Sequence, residues 1–460
     1  MSADVPFRSV LIANRGEIAL RIARTCREMG VRTIAVYSTA DRDSAVVRFA
    51  DEAVHIGPSP ARASYLNVPA IVEAAAATGA EAIHPGYGFL SEDPDFAEIC
   101  DANGLTFVGP PPALMARLGD KSAARAIMAD AGLPVLSGST GTLDGAAQAK
   151  AVADDIGYPV IIKATAGGGG RGMRVVDGPG AFMRAYSEAR AQAHSVFGDS
   201  RVYIERYVNP ARHVEVQILA DEHGGVVHLG ARDCSVQRRY QKLVEETPAP
   251  RLDPVAAEEL CAAAVRGARE IGYAGAATFE FLLAPDGAFH FMEINCRIQV
   301  EHPVTEMVTG VDIVREQLLV AAGRPLSIKQ GDVAPNGVSI ECRINAEDPA
   351  TGFRPTPGRL DELVLPGGPF TRVDAHVFPG ASVAAEYDPL LAKVVVWAPD
   401  RDLAIARMRR ALDELRVSGP GVRTTGAFLR DVLDHPRFRD GAHSTGLIAE
   451  IMSEEDGRDG

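Results

Sequence analysis

Two carboxylates, Glu280 and Glu293, lie in short apolar runs on either side of Asp286-Gly287. The runs Ala277 to Leu283 and Phe289 to Asn295 have strand character, and Asp-Gly between such runs signals a hairpin. A two-residue turn pairs Pro285 with Ala288 and, counted back, sets Glu280 opposite Glu293; a three-residue loop would shift that register. Alternation puts Thr278, Glu280 and Leu282 on one face, and Phe289, Phe291, Glu293 and Asn295 on one face of the return strand. Directly opposed residues have Cβ atoms roughly 5 Å apart, and like charges so placed repel. A hard cation removes the repulsion, and oxygens of Glu280, Glu293 and Asn295 suit Mg2+ shared with substrate phosphates. The alternative is two solvated carboxylates on an exposed face.

The next residues run Arg297-Ile298-Gln299-Val300-Glu301-His302. If extended, Arg297, Gln299 and Glu301 project on one side. Arg and Gln can then grip a small oxyanion while Glu301 takes its proton; an edge strand with alternating polar residues is the bland alternative. Upstream, Gly167 to Gly170 precede Arg171-Gly172, between strands expected at Pro159 to Ala164 and Met173 to Val176. Such a run lets backbone N–H groups wrap phosphate oxygens. It is neither a Walker loop, which ends Gly-Lys-Ser/Thr, nor a strand-to-helix dinucleotide turn. Lys163 and Lys121 can add point charges to the same phosphates, and basic residues gather again around Arg232, Arg238, Arg239 and Lys242.

The elements that must carry these groups begin with a strand–helix rhythm. Strands are expected at Ser9 to Ala13, Thr33 to Tyr37, Ala53 to Ile56, Glu81 to His84 and Leu105 to Val108, with helices after Arg15 and at about 69–78 and 94–103. That alternation implies a parallel, helix-covered sheet. Past Gly119 come a helix, Lys121 to Ala131, and the glycine hairpin; 323–337 looks like a linker. Strands follow at 338–345 and 394–397, then a helix over 402–415 with Leu403, Met408, Ala411, Leu412 and Leu415 on one side. The end, SEEDGRDG, reads as disordered.

With 460 residues the chain has room for two to four domains, and a net charge of −14 argues against nucleic acid. Six scattered cysteines without a CxxC pair fit a reducing compartment. Without a bilayer-length apolar stretch or a signal-like start, the expectation is a cytoplasmic protein.

The stretches IANRGEIALRI, YLNVPAI, AIHPGYGFLSE, GDK, YPVIIKATAGGGGRGMRVV, RHVEVQ, RDCSVQRRYQK, TFEF, MEINCRIQVEHPVTE and ECRINAEDP, in this order, resemble biotin carboxylase, the ATP-grasp component of acetyl-CoA and related carboxylases. The resemblance covers nearly the whole chain. It implies a multidomain α/β (α+β) fold: a Rossmann-like parallel-sheet domain (1–120), an ATP-grasp domain (121–322) with a mobile lid near 135–208, and an antiparallel-sheet domain (335–446), with a disordered tail at 447–460. It further implies that Lys121, Lys163, Gly169, Gly170, His213, Gln237 and Tyr240 hold ATP, with Glu205, Arg206, Tyr207 and Val208 as the hinge near adenine. Glu280, Glu293 and Asn295 would bind Mg2+ or Mn2+. Lys242, Arg297, Gln299 and Val300 would hold bicarbonate, Glu301 would be the base, and Arg343 would stabilise the biotin enolate. The chain departs from the family pattern at Ala166, where another glycine is frequent, and at Tyr240, where histidine is frequent; Cys296 fills a variable slot and reads as a bystander.

The implied reaction is carboxylation of biotin on a separate biotin carboxyl carrier protein, with ATP and bicarbonate giving carboxyphosphate first. Neither a Met-Lys-Met attachment segment nor a carboxyltransferase region is seen, so a separate carrier, transferase subunits and a homodimer are expected. One rival is another ATP-grasp carboxylate–amine ligase, against which the Arg297–Glu301 strip argues; another is the equivalent subunit of a pyruvate carboxylase. A non-catalytic nucleotide-binding subunit should have lost a metal carboxylate or the base, yet Glu280, Glu293 and Glu301 are all present.

Overall fold

The computed structural model describes residues 5–139, 141–143, 145–165 and 173–456. The apolar runs of the first part become β1 (Ser9–Ile12), β2 (Arg32–Ser38), β3 (Glu52–Gly57), β4 (Ala82–His84) and β5 (Thr106–Phe107). All pair in parallel, in the order β3-β2-β1-β4-β5. β1 is buried along its whole length because helices cover both faces of the sheet. The strand order reverses between β1 and β4, and ligands of such sheets bind beyond the carboxyl ends at that reversal.

A second, three-stranded sheet holds β6 (Val160–Ala164), β7 (Arg174–Val176) and β8 (Val202–Arg206) in the order β7-β6-β8. β6 and β7 pair antiparallel, as the two arms of a glycine-tipped hairpin must. The run between them, with Ala166, Gly169 and Gly170, lies outside the described residues. Phe182, Tyr186 and Ala189 of helix Phe182–Phe197 pack on Ile162 and Ile204 of this sheet.

The remaining ladder is a single eight-stranded antiparallel sheet. It comprises β9 (Arg212–Ala220), β10 (Val226–Arg238), β11 (Gln241–Thr247), β12 (Gly275–Leu283), β13 (Phe289–Asn295), β14 (Val338–Asn345) and the strands Thr371–Ala375 and Leu390–Ala398. The 323–337 connection interrupts the chain but not the sheet, because β14 pairs directly with β11, Val244 opposite Cys342 and Glu245 opposite Glu341. Among the described residues no helix is long and apolar enough to cross a membrane.

Five local expectations are corrected. The Asp286-Gly287 loop is wider than two residues: Ala284 and Ala288 close it, and Leu283 faces Phe289. A bulge at Met292 then shifts the ladder back by one, so Glu280 does face Glu293. The wider loop puts Phe291 opposite Phe281, on the apolar side with Phe279, and the bulge turns Glu293 and Asn295 to the other face. The segment 297–301 is a bend and turn rather than a strand, since the helix His302–Thr309 begins at its end. In helix Arg401–Glu414 the buried side is Ala404, Ile405, Met408, Ala411 and Leu412, whereas Leu403 is exposed. Finally, the tail is helical over Leu447–Asp456, and Leu447, Ile448 and Ile451 enter the core beside Phe438 and Val432.

Candidate active site

The large sheet carries a polar row across four strands. Arg232 on β10 is opposite Glu215 on β9, Glu215 opposite Glu280 on β12, and Glu280 opposite Glu293 on β13. β9 contributes His213 and Gln217 at two-residue spacing from Glu215, all three buried. A strand whose every second residue is polar yet covered must spend those groups on one another. Fully buried Arg232 donates to Glu215 at 2.6 Å and to Gln217 at 2.9 Å, and it also reaches Thr278, Gln299 and Thr305. Glu280 takes Asn295 at 2.9 Å and Gln299 at 2.8 Å on one oxygen, with His213 Nε2 3.0 Å from the other.

Lys242 lies at the crossing point. Its Nζ is 2.6 Å from Glu215, 3.1 Å from Glu280 and 2.5 Å from Glu301. Glu301 is 2% exposed and stands at the N-cap of helix His302–Thr309 without spending its carboxylate on the cap. Its second oxygen takes Arg343 of β14 at 2.9 Å, and Arg343 is also 2.5 Å from Glu245. Burial works against the Glu301 anion, but Lys242, Arg343 and Arg232 outweigh it and hold this carboxyl well below the usual carboxylate range. Glu280 is likewise held low against burial by Lys242 and His213. Burial opposes the charge on Lys242 too, and Glu215, Glu280 and Glu301 overcome it and raise its pKa.

Arg297 pairs with Glu92 at 2.9 Å and donates to Asn295 Oδ1 at 3.1 Å, so it sits at the rim of this cluster with Gln299 just inside. The Val300 carbonyl accepts from Lys393 at 2.8 Å. Gln237 Nε2 lies 3.4 Å from His213 Nδ1. Lys121, at the start of helix Lys121–Asp130, makes an ion pair with Glu293, which brings this helix to β13. On the small sheet Lys163 is 2.6 Å from Glu205, and Arg125 is 3.1 Å from the same carboxylate. Arg206 ends β8, and Tyr207 and Val208 lie on the chain that crosses to β9; Tyr207 N–H donates to Pro159 O at 3.0 Å. Tyr240 stands apart: it occupies the β10–β11 turn tip, at φ +68°, and is 50% exposed.

Glu215, Glu245, Glu92 and Arg125 join the site without having been singled out, whereas Arg232 of the basic cluster lies buried within it. The polar alternation His213-Glu215-Gln217 inside an apolar strand carried the signal for Glu215. Oxygens of Glu280, Glu293 and Asn295 are a hard donor set, and the counter-charges they use here come from Lys121, His213 and Lys242. A hard divalent cation fits that set.

Beside Glu301, at the strand reversal of the parallel sheet, lies a cavity of about 340 Å3. Its lining includes Asn14, Gly16, Tyr87, Val300, Arg343 and Leu390.

A cation-bearing small sheet, an acidic row on a larger antiparallel sheet and a cavity at a parallel-sheet reversal suit an enzyme that brings a polyphosphate, a hard cation and a small substrate together. Residues 6–115 match the biotin carboxylase N-terminal domain, 120–329 the ATP-binding domain of the carbamoyl-phosphate synthase L chain, and 341–450 the biotin carboxylase C-terminal domain. The chain is 52% identical over 445 residues to a biotin carboxylase of Nostoc, covering 97% of this chain and 99% of the relative. A Campylobacter jejuni biotin carboxylase crystal structure, described as a β,γ-ATP complex, superposes with a TM-score of 0.94 at 48% identity, covering 96% of this chain and 99% of that one. The biotin carboxylase domain dimer of Hydrogenobacter thermophilus 2-oxoglutarate carboxylase, in complex with MgADP, ADP and bicarbonate, also has a TM-score of 0.94, at 46% identity over 96% of this chain and 97% of that one. The chain belongs to the biotin carboxylase family.

Proposed function

We propose that the chain uses ATP and bicarbonate to carboxylate biotin borne on a separate biotin carboxyl carrier protein, the first half-reaction of an acetyl-CoA or related acyl-CoA carboxylase. The observation that carries this reading is the Glu301 carboxylate, buried between Lys242 and Arg343 and next in sequence to Val300, which with Arg343 lines the cavity. Lys242, Arg297, Gln299 and the Val300 backbone hold bicarbonate, and Glu301 removes its proton. A carboxylate held this low is a weak base. An anion that draws Lys242 onto its own oxygens relieves Glu301 of that partner and raises its basicity as substrate arrives.

Lys163 and Lys121, with His213 and Gln237, meet the phosphates, and Glu205 to Val208 border the adenine. Tyr240, exposed at its turn tip, is left out of the phosphate contacts. Glu280, Glu293 and Asn295 would hold Mg2+, which neutralises charge on the transferring phosphoryl group. The deprotonated bicarbonate oxygen attacks the γ-phosphorus, and ADP leaves with the bridging electron pair. Carboxyphosphate then breaks to CO2 and phosphate, and the phosphate takes the biotin N1′ proton. Arg343, which cannot act as a base at neutral pH, offsets the enolate charge while N1′ attacks CO2. A cytoplasmic location, a carboxyltransferase partner and a homodimer complete the reading, the last supported by the dimer of the Hydrogenobacter relative.

The test is phosphate release from ATP with bicarbonate, with and without free biotin. Slow release that accelerates with biotin is expected; release indifferent to biotin over a wide concentration range would favour a carboxylate–amine ligase.

A further inference from the structure

Lys393 is fully buried in the middle of strand Leu390–Ala398, a place where an ammonium group is costly. Its register partner on β14 is Arg343. The two cations thus stand side by side and reach consecutive residues of one turn. Arg343 takes the carboxylate of Glu301, whereas Lys393 donates to the backbone carbonyl of Val300 at 2.8 Å. The charge of Lys393 is balanced chiefly by Glu17 at 3.0 Å, from the first turn of the helix that follows β1, with Asp374, its cross-strand partner, at 4.0 Å. Glu17 also accepts from the Tyr87 hydroxyl, and both residues line the cavity beside Val300 and Arg343. Three parts of the chain far apart in sequence therefore meet at one peptide group, the one just before the proposed base.

We propose that Lys393 is a positioning residue: by clamping the Val300 carbonyl it fixes the turn that presents the Val300 backbone and the Glu301 carboxylate to bicarbonate, and through Glu17 and Tyr87 it ties that turn to the wall of the cavity. Two observations set this apart from a lysine that merely neutralises a carboxylate. The Val300 bond is no longer than the ion pair, and the clamped residue belongs to a bend and turn rather than to a ladder. A turn without cross-strand bonds has few other means of holding one peptide plane. The inference rests on the bicarbonate-site reading given above.

The experiment is steady-state kinetics on the full chain with ATP, Mg2+ and free biotin, varying bicarbonate. Lys393→Met alone strands Glu17 as a buried, unpaired carboxylate and risks the fold. The neutral pair Glu17→Gln/Lys393→Met removes the clamp and its nearest counter-charge together, while Asp374 keeps its pair with Arg372. It is expected to raise the bicarbonate KM by about tenfold or more while the ATP KM moves by less than about twofold. Glu17→Gln alone keeps the Val300 bond and should shift the bicarbonate KM by only about threefold or less. Should the neutral pair not fold, Lys393→Arg keeps the charge beside Glu17 but redirects the donor, and the same selective rise is expected. A folded variant lacking Lys393 with an unchanged bicarbonate KM, or with both KM values rising together, overturns the clamp. Glu301→Ala, assayed in parallel, separates the two readings. If it loses bicarbonate-dependent ATP cleavage while the Lys393 variants behave like wild type, only the clamp fails. If it keeps that cleavage, the bicarbonate site itself is misplaced and the clamp falls with it.

Discussion

Glu205 and Glu301 are both buried carboxylates that each hold two cations, yet their surroundings carry opposite charge balances. Around Glu205, Lys163 and Arg125 face a single carboxylate, so the small sheet has positive charge to spare. Around Glu301, the cations Lys242, Arg232 and Arg343, with His213 beside Glu280, face Glu215, Glu245, Glu280, Glu293 and Glu301, so the sheet itself carries more carboxylates than cations. The first balance suits a polyphosphate. The second suits a divalent cation and a proton acceptor. Their construction differs as well: Lys163 and Glu205 lie on adjacent strands β6 and β8, whereas Glu301, Lys242 and Arg343 meet only because β14 joins the edge of β11. Nucleotide affinity and acid–base chemistry therefore rest on different parts of the fold and should separate under mutation.

The sharpest separation is expected at Glu301 and Arg343. Glu301→Ala should cut both phosphate release and carboxybiotin formation by about a thousandfold, since no bicarbonate nucleophile forms. Arg343→Ala should lower carboxybiotin by about a hundredfold while much of the bicarbonate-dependent ATP cleavage persists. Both products are measured in parallel. An equal loss of both in Arg343→Ala, with ATP affinity intact, would place this arginine before biotin enters. A smaller effect is expected on the cation-rich side, where Lys163→Met should raise the ATP KM by about tenfold and leave the bicarbonate KM unchanged. A bicarbonate KM that moves with it would erase the contrast between the two regions.

The same contrast explains what could be read before the structure. Parallel strands announce themselves as apolar runs, so β1 to β5 were legible to within a residue or two at most of their ends. The facing of Glu280 and Glu293 was legible as well, although by two compensating shifts, the wider loop and the Met292 bulge, that alternation alone cannot show. The 297–301 turn was misread because its polar spacing imitates a strand, while Pro303 in the first turn of the next helix marks where extension has to end. The final helix was hidden behind its acidic end, though Leu447, Ile448 and Ile451 have the spacing of a buried face. Glu245 and Lys393 were out of reach. Each owes its place near the site to strand partners that no local pattern specifies.

Glu245 provides the smallest and most specific test. Burial pushes its carboxyl up to about 7 from an ordinary 4.5, against the pull of Arg343 and with the help of Glu301; Lys242 also faces it, and Glu341 is its direct cross-strand neighbour. Glu341 is fully buried and is itself raised, by burial first. Below pH 7 Glu245 is neutral and Arg343 keeps more of its charge for the enolate. Above it, Glu245 ionises and competes for that charge. The ratio of carboxybiotin to phosphate should therefore fall a few-fold between pH 6 and pH 8 in the wild type, about the size of one weakened charge–charge contact, and stay flat in Glu245→Gln. Stability moves with the same sign. The folded chain keeps a proton that the unfolded chain releases, so this residue's contribution declines as pH rises from about 4.5 to about 7. Thermal unfolding across that window should show a shallower decline in Glu245→Gln than in the wild type. Parallel slopes, together with an unchanged product ratio, would mean that Glu245 stays ionised beside Arg343 at every pH, and that the acidic excess on the large sheet is carried without a bound proton.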